Sequence, residues 1–297
     1  MISVIIVNYR CAALSHQAIK SVLIQEQAHE IILVDNSADA EEAERLRQGL
    51  PDPVQLIINS SNTGFARACN LAYAQCQGEH ILLLNPDAQL FPGCLNRLSL
   101  SLGQDPRIAA VGPKTYWDQD KRYLLPPSIH PGPEQLLWHS LSQRYPRIRQ
   151  LYSQHFRAHA LRLWQAQRPL QVPALSGGLA LLRREALERV GGLFDPGFFM
   201  YYEDSDLFWR LRQAGYRLEY EPRAEASHRY EHHPGKLALM DEAAPRYFSK
   251  HFAHSMLSRL AQWLSRPAPD SELPHTQDLG TLQRPPSWPV SPELQSG

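Results

Sequence analysis

The sequence predicts an α/β fold, with a mostly parallel central sheet and helices on both of its faces. Three observations carry this. First, short apolar runs at 3–7, 30–34, 54–58 and 80–84 alternate with helix-periodic stretches at 14–27, 39–50 and 64–77, the pattern of strand–helix–strand units. Second, those runs lack polar alternation, as strands covered on both faces do. Third, polar residues close each run: Asn8 and Tyr9, Asp35 and Asn36, the 59–62 stretch with Asn62, then Asn85, Pro86 and Asp87. In a parallel sheet these all fall on one carboxyl edge, where open α/β sheets bind ligands. One such residue is easily a turn former; four sets in register point to a nucleotide-type ligand.

In chain order, 92–102 carries Leu95, Leu98 and Leu102 at helical spacing, and 109–112 reads as a short strand. The 116–173 region is the least regular and reads as an insertion with helical character. Its 134–168 stretch sets Arg144, Arg147, Arg149, Arg157, Arg162 and Arg168 among Trp138, Tyr145, Leu151, Phe156 and Trp164. Such a segment is either a solvated helix packed by its apolar side or a surface that rests on an anionic membrane. Next come Ser176, Gly177 and Gly178, a strand at 179–182, and a helical turn at 184–190 that Gly191 and Gly192 close as a left-handed cap. A strand at 216–220 precedes Pro222 and His228, and an amphipathic helix follows at 247–264. These parts make one domain over 1–265: a nucleotide-binding half at 1–115, the insertion, an acceptor and catalytic half at 174–235, and a C-terminal helix at 237–265. From 266 to 297 prolines recur in a polar background, and this tail is expected to be disordered.

The segment at 198–210 is the most unusual. Glu203, Asp204 and Asp206 lie among Phe198, Phe199, Tyr201, Tyr202, Phe208 and Trp209. Carboxylates in apolar surroundings are costly unless a cation or donor meets them. A helical pattern begins here and stops at Gly215, so Glu203 and Asp204 sit at a helix start. They either cap that helix, or one of them is a general base at the mouth of a cleft.

Composition excludes several alternatives. The formal net charge is zero, so there is no broad attraction to nucleic acid. No apolar run approaches the ~20 residues of a membrane span. Cys11, Cys69, Cys76 and Cys94 match no zinc spacing and read as reduced packing residues of a cytosolic protein. No Gly-x-Gly-x-x-Gly follows the first strand, which removes a dinucleotide oxidoreductase.

Taken in order, the blocks around Asn8, Asp35, the 62–70 stretch, Asn85 to Asp87, Ser176 to Gly178, 191–195, 198–210 and His228 resemble those of a family 2 glycosyltransferase with the GT-A fold, of the rhamnosyltransferase-like branch. The resemblance covers about residues 2–230. It implies an inverting transfer from a nucleotide sugar to a hydroxyl, with Asp204 as base and Glu203 beside it to orient it or to bind acceptor. It implies that Asp87, next to Asn85, holds Mg2+ or Mn2+, in a family where many members carry an acid at the position of Asn85. His228 either joins that metal or diphosphate site or is a structural histidine. Asp35 would accept from a pyrimidine N–H, Tyr9 would contact the base beside Asn8, and Asn62 and Gly64 would complete the donor side. Arg67 would meet phosphate, or is a solvated helix charge. Ser176, Gly177 and Gly178 would face the acceptor. The donor implied is dTDP-rhamnose, with UDP-hexoses or UDP-galactofuranose as alternatives. The acceptor is a cell-surface glycan or a lipid-linked precursor, and the setting is cytoplasmic, with peripheral contact at the inner face of the membrane. The rival from another class is a non-catalytic nucleotide-sugar-binding module, which Asn85 would suit.

Overall fold

A computed structural model describes residues 1–27, 29–52, 54–229, 235–257 and 260. The four predicted runs are the strands β1 (Ile2–Asn8), β2 (His29–Asp35), β3 (Val54–Ile58) and β4 (His80–Leu84). They pair in parallel in the order β3-β2-β1-β4. The helices α1 (Ala12–Leu23), α2 (Ala40–Arg47) and α3 (Phe65–Tyr73) join them. Asp39 caps α2, its carboxylate accepting from the backbone N–H groups of Glu41 and Glu42, so the helix starts where its turn residue ends.

The second half adds β5 (Ala88–Leu90), α4 (Cys94–Gly103), β6 (Ile108–Tyr116), α5 (Pro133–Arg144), α6 (Pro146–Trp164) and β7 (Leu170–Val172). It continues with β8 (Leu179–Arg183), α7 (Arg184–Arg189), α8 (Glu203–Gln213), β9 (Arg217–His228) and α9 (Lys236–Phe252). The sheet extends as β4-β8-β6-β9-β5, with β7 also on β9. Strands β1 to β4, β6 and β9 run one way; β8, β5 and β7 run the other. Because β8 is antiparallel to β4, with Leu179 opposite Leu84, its entry end lies at the carboxyl edge of β4. That reversal delivers Ser176–Gly178 to the predicted ligand edge.

Alternate residues of each strand face opposite sides. Ile5 and Val7 pack with Cys69 and Ala72 of α3, Leu207 and Leu211 of α8, and Tyr247 and Phe252 of α9. Val4 and Ile6 pack with Ile19 and Val22 of α1, Leu46 of α2, and Leu95 and Leu98 of α4. The sheet is thus covered on both faces. Cys69, Cys76 and Cys94 are buried and all four cysteines are free, as packing residues should be. Among the described residues no helix is long and apolar enough to cross a membrane.

Three elements differ from expectation. The strand expected to stop before Pro222 runs on to His228, because its register against β6 shifts between Pro113 and Lys114; the irregularity absorbs a residue that cannot donate. The irregular insertion contains α5, α6 and β7. The last helix begins at Lys236, close to the expected boundary at 237 and ahead of the periodic 247–264 stretch, and passes through Pro245, with Tyr247, Phe248 and Phe252 on its buried side. Residues 258, 259 and 261–264 of the expected helix and the whole 266–297 tail lie outside the described residues.

One charged cluster fixes α8. Asp206 is fully buried. Its Oδ2 accepts from Arg210 Nε at 2.8 Å, and its Oδ1 lies 2.6 Å from Lys250 Nζ and 2.7 Å from His251 Nε2. Burial pushes this carboxyl up, but the hydrogen bonds from His251 and Lys250 and the Arg210 charge outweigh it and hold the group at about 2. Arg210 also donates to the carbonyls of Val190, Gly192 and Leu193. The cluster therefore ties α8 to α9 and to the loop before it. Removing one member of a buried pair strands the others. Asp206→Ala should lower stability by about 3 kcal/mol, seen as a lower urea midpoint at unchanged slope. A cost below ~1 kcal/mol, the level of an exposed pair, would show that the cluster is not the anchor.

Candidate active site

At the end of β4, the N–H of Asn85 donates to the Gly178 carbonyl at 2.7 Å. The chain then turns through Pro86 to Asp87. Pairing of β5 with β9 sets Ala88 opposite His228, which brings His228 Nε2 to 3.0 Å from Asp87 Oδ1. Asn85 Nδ2 lies 3.4 Å from the same ring nitrogen. Asn85, Asp87 and His228 thus form one group, with the imidazole buried and Asp87 more open.

The 176–178 segment links this group to α8. The Gly177 N–H donates to Asp204 Oδ2 at 3.0 Å. A Cβ on Gly177 would stand 2.6 Å from Asp204 Cβ, and one on Gly178 would stand 2.5 Å from Asn85 Nδ2. Both positions admit glycine because the neighbours approach so closely. Asp204 and Asn85, the first residue of the Asn85–Asp87 turn, therefore stand against two adjacent residues without side chains. Ser176 Oγ accepts from the Gly178 N–H.

Asp204 enters α8 through a strained turn. Tyr201 and Tyr202 both have left-handed backbones, φ 67° and 64°, a conformation costing about 1–3 kcal/mol per non-glycine residue. Tyr202 packs on Tyr247 and Phe248 of α9, which holds the turn. Just upstream, the Phe199 carbonyl accepts from the Phe65 N–H at 2.7 Å. Gly64, at φ 83°, leaves room for that carbonyl, since a Cβ would stand 2.5 Å from it. Gly64 thus seats the loop that leads to Asp204. Asp204 Oδ1 accepts from the Ser205 N–H at 2.6 Å, which satisfies one first-turn donor of α8, while the N-cap residue Tyr202 makes no side-chain cap bond. Burial raises the Asp204 pKa, opposed by the hydrogen bonds from Gly177 and Ser205. The carboxyl lines a cavity of about 440 Å³ with Ser176, Ser205, Tyr201, Tyr202 and Trp117, within the ~300–1,000 Å³ of small-molecule sites.

Glu203 lies elsewhere. It is buried, its Oε2 has no hydrogen-bond partner, and it faces Cys69 of α3, whose thiol it helps burial to raise. Burial, then the Asp204 charge, push Glu203 up to about 8. Glu203 is not among the residues that line the cavity with Asp204, and its buried carboxyl stands close enough to feel the Asp204 charge.

On the donor side, Asn8 and Asp35 pair across β1 and β2. Both are fully buried. Asn8 Nδ2 lies within 3.2 Å of acceptors on Asp35, Ser37 and Glu42, and its Oδ1 accepts from Ser15. Asn8 is thus a hub that fixes the edge. Asp35 keeps Oδ2 buried and without a partner, a vacant acceptor at the ligand edge. Tyr9 is exposed just beyond, with the Arg10 guanidinium 5.6 Å from its ring centre. Asn62 accepts from Asn36 and from the Gly64 N–H, which shapes the loop. Arg67 is not brought to the Asp87 group: it is exposed on α3, and its Nε donates to the Pro196 carbonyl at 2.9 Å, docking the loop that carries Phe198 and Phe199. The sequence reading missed Glu42, which also accepts from the Ala12 N–H, and the cavity wall at 125–131. Glu42 sits in a run of exposed helix charges, and no local pattern sets it apart.

Asp87 and His228 are one carboxylate and one imidazole, with an amide beside them. This donor set fits a divalent cation if phosphate oxygens and water complete the coordination. No cluster of three His, Cys, Asp or Glu side chains that could hold a metal occurs among the described residues.

Comparison with known proteins bears on the family and the fold. The family model "Glycosyl transferase family 2" matches residues 3–191. An N-acetylglucosaminyl-diphospho-decaprenol L-rhamnosyltransferase of Mycobacterium tuberculosis is 32% identical over 232 residues, 72% of this chain and 71% of that protein. The rhamnosyltransferase WbbL of Escherichia coli is 48% identical over 61 residues, 20% of this chain and 22% of that protein. A mannosyltransferase of Pyrobaculum calidifontis, solved with GDP-Man and Mn2+, superposes with a TM-score of 0.55 at 20% identity, covering 89% of this chain and 73% of that one. GalNAc-T7, solved with UDP, GalNAc and Mn2+, gives 0.55 at 17% identity, covering 90% and 55%. At such identities the two structures speak for the fold alone, which is GT-A.

Glu203 makes stability depend on pH. Its folded pKa of about 8 lies above the ordinary 4.5, so the folded state binds more protons between those values. Its contribution is complete below 4.5 and is lost as pH rises toward 8. Glu203→Gln should flatten that decline in melting temperature between pH 5 and 8, each value being about the span named. An unchanged slope would show that the carboxyl is solvated.

Proposed function

Since the chain belongs to glycosyl transferase family 2, we propose that it is an inverting, nucleotide-sugar-dependent transferase in which Asp204 is the general base. The observation that carries this is the joining of Asp204 to the Asn85–Asp87 turn through Gly177 and Gly178. A sugar diphosphate on the Asp87 side would present its anomeric carbon toward the cavity that Asp204 lines. An acceptor hydroxyl in that cavity attacks the anomeric carbon while the bond from that carbon to the diphosphate oxygen breaks. Asp204 takes the hydroxyl proton, and the nucleoside diphosphate leaves with the bonding pair. One displacement inverts the anomeric centre, and no enzyme nucleophile is needed. The raised pKa of Asp204 makes it a stronger base than an exposed carboxylate.

Asp87 and His228 would hold Mg2+ or Mn2+. When bound, the cation offsets the charge growing on the departing diphosphate. Asp35 Oδ2 suits a ring N–H of a pyrimidine base, with Tyr9 at the rim to cover it. For the donor, dTDP-rhamnose is favoured by the two rhamnosyltransferase relatives; UDP-hexoses and UDP-galactofuranose are the alternatives. For the acceptor, a lipid-linked glycan is favoured by the diphospho-decaprenol substrate named for the mycobacterial relative.

A lipid-linked acceptor would place the protein at the inner face of a membrane, in a cytoplasmic setting. Exposed Trp138 on α5, Tyr145 at the junction of the two helices, and Leu151 and Leu161 on α6 stand among Arg144, Arg147, Arg149, Arg157 and Arg162. Apolar side chains among arginines suit an anionic lipid surface.

Two measurements test these proposals. Asp204→Asn should lower kcat by about 10²–10⁴, the worth of a general base, yet keep the rise in melting temperature given by dTDP-rhamnose with Mn2+. Equal transfer by variant and wild type would remove Asp204 from the role of base, and no transfer by the wild type would favour a non-catalytic binding module. The protein should also float with vesicles containing phosphatidylglycerol at low salt and be released as salt screens the arginines; no flotation at low salt would end the membrane proposal.

A further inference from the structure

The cavity beside Asp204 has a wall that belongs neither to the sheet nor to a helix. Leu125, Pro126, Pro127, Ser128, Ile129 and Pro131 line it. This segment is held at both ends. At one end the Leu125 N–H donates to the Thr115 carbonyl of β6 at 2.9 Å, and the Leu125 carbonyl accepts from the Trp164 indole of α6 at 3.2 Å. At the other end His130 lies flat on Trp209 of α8, ring centres 5.0 Å apart and planes 2° from parallel. Tyr247 of α9 meets the same imidazole edge-on at 6.5 Å.

The His130 contact is unusual for a histidine. Both ring nitrogens are buried and neither has a hydrogen-bond partner. A buried imidazole ordinarily spends at least one nitrogen on a partner. Here the ring serves as a flat plate. Burial, then the nearby charges of Arg212 on α8 and His251 on α9, push its pKa down to about 4, so it meets Trp209 uncharged at neutral pH. Trp209 sits on the same helix as Asp204. The wall is thereby referenced to the element that carries the base. The three prolines among its seven residues narrow the segment's backbone freedom, so fixing its two ends fixes the part between them.

We propose that residues 125–131 are the acceptor-positioning wall of the site, and that His130, stacked on Trp209, is the positioning residue that sets its distance from Asp204. The chemistry of the wall is prolyl and aliphatic, and Trp117, Phe156 and Tyr201 complete the cavity with aromatic rings. Such a lining packs against the C–H faces of a pyranose and orients it by shape. The acceptor class that fits is a sugar ring presented flat to the wall with its reacting hydroxyl toward Asp204. This rests on the role proposed above for Asp204; the latch itself does not.

His130→Ala, His130→Phe and the wild type decide the matter in the full-length protein. With an N-acetylglucosaminyl-diphospho-polyprenol as acceptor probe, His130→Ala should raise the acceptor KM about tenfold and leave the donor KM unchanged, the mark of lost acceptor binding without damage to the donor side. In hydrogen exchange without any substrate, amides of 124–132 should exchange faster in His130→Ala while the melting temperature and the exchange of β1 to β4 hold. His130→Phe should restore both, because a plate needs no nitrogen. An unchanged acceptor KM, exchange in 124–132 as slow as in the wild type, or failure of Phe to rescue would overturn the proposal. So would a donor KM that rises alongside, since that is the mark of general damage. A wild type that transfers nothing would instead sink the role of Asp204, and the exchange comparison would still decide the latch.

Discussion

Two glycines in close contact with two polar side chains, Asp204 and Asn85, set the architecture of the candidate site. Gly177 abuts Asp204 and Gly178 abuts Asn85, at separations that exclude any side chain between them. Their backbone does the joining: one N–H meets the carboxylate of α8, and one carbonyl meets the turn after β4. A parallel sheet alone could not place them there. The reversed strand β8, entering at the carboxyl edge of β4, is what brings this short connection to the edge where the parallel strands end.

The rest of the structure holds α8 in place against that contact. Tyr201 and Tyr202 accept an unfavourable backbone, offset by packing of Tyr202 on α9 and by the Asp206–Arg210–Lys250–His251 cluster. The three acids of one short segment thereby take three environments. Asp206 is ionised within cations, Asp204 opens to a cavity, and Glu203 is turned into the core with its proton retained well above the ordinary carboxylate range. Their differing titration follows from which way each faces the first turn of the helix.

The α/β class, the first four strands and their ligand edge were legible in the sequence because each is a local pattern: an apolar run closed by turn residues. Asp204 and His228 were nameable through resemblance, yet their joining to Asp87 depends on strand order, which no local pattern encodes. Four placements were not legible. Asn8 and Arg67 have the residue types of ligand contacts, but the partners they found were protein: Glu42 and Ser37 for Asn8, the Pro196 carbonyl for Arg67. Glu203 differs from Asp204 by one position, and a helix turns about 100° per residue, enough to send one carboxyl to a cavity and the next to the core. The wall at 125–131 was seen only as irregular chain, since proline-rich segments carry no period.

The insertion of β8 also closes an edge. Strand β4 ends at Leu84, and its edge away from β1 is covered only by β8, which begins at Leu179. A four-stranded β3-β2-β1-β4 sheet without β8 would present that apolar edge with its amides unpaired. The pairing that finishes the pocket is thus the same pairing that seals the sheet against joining a neighbour.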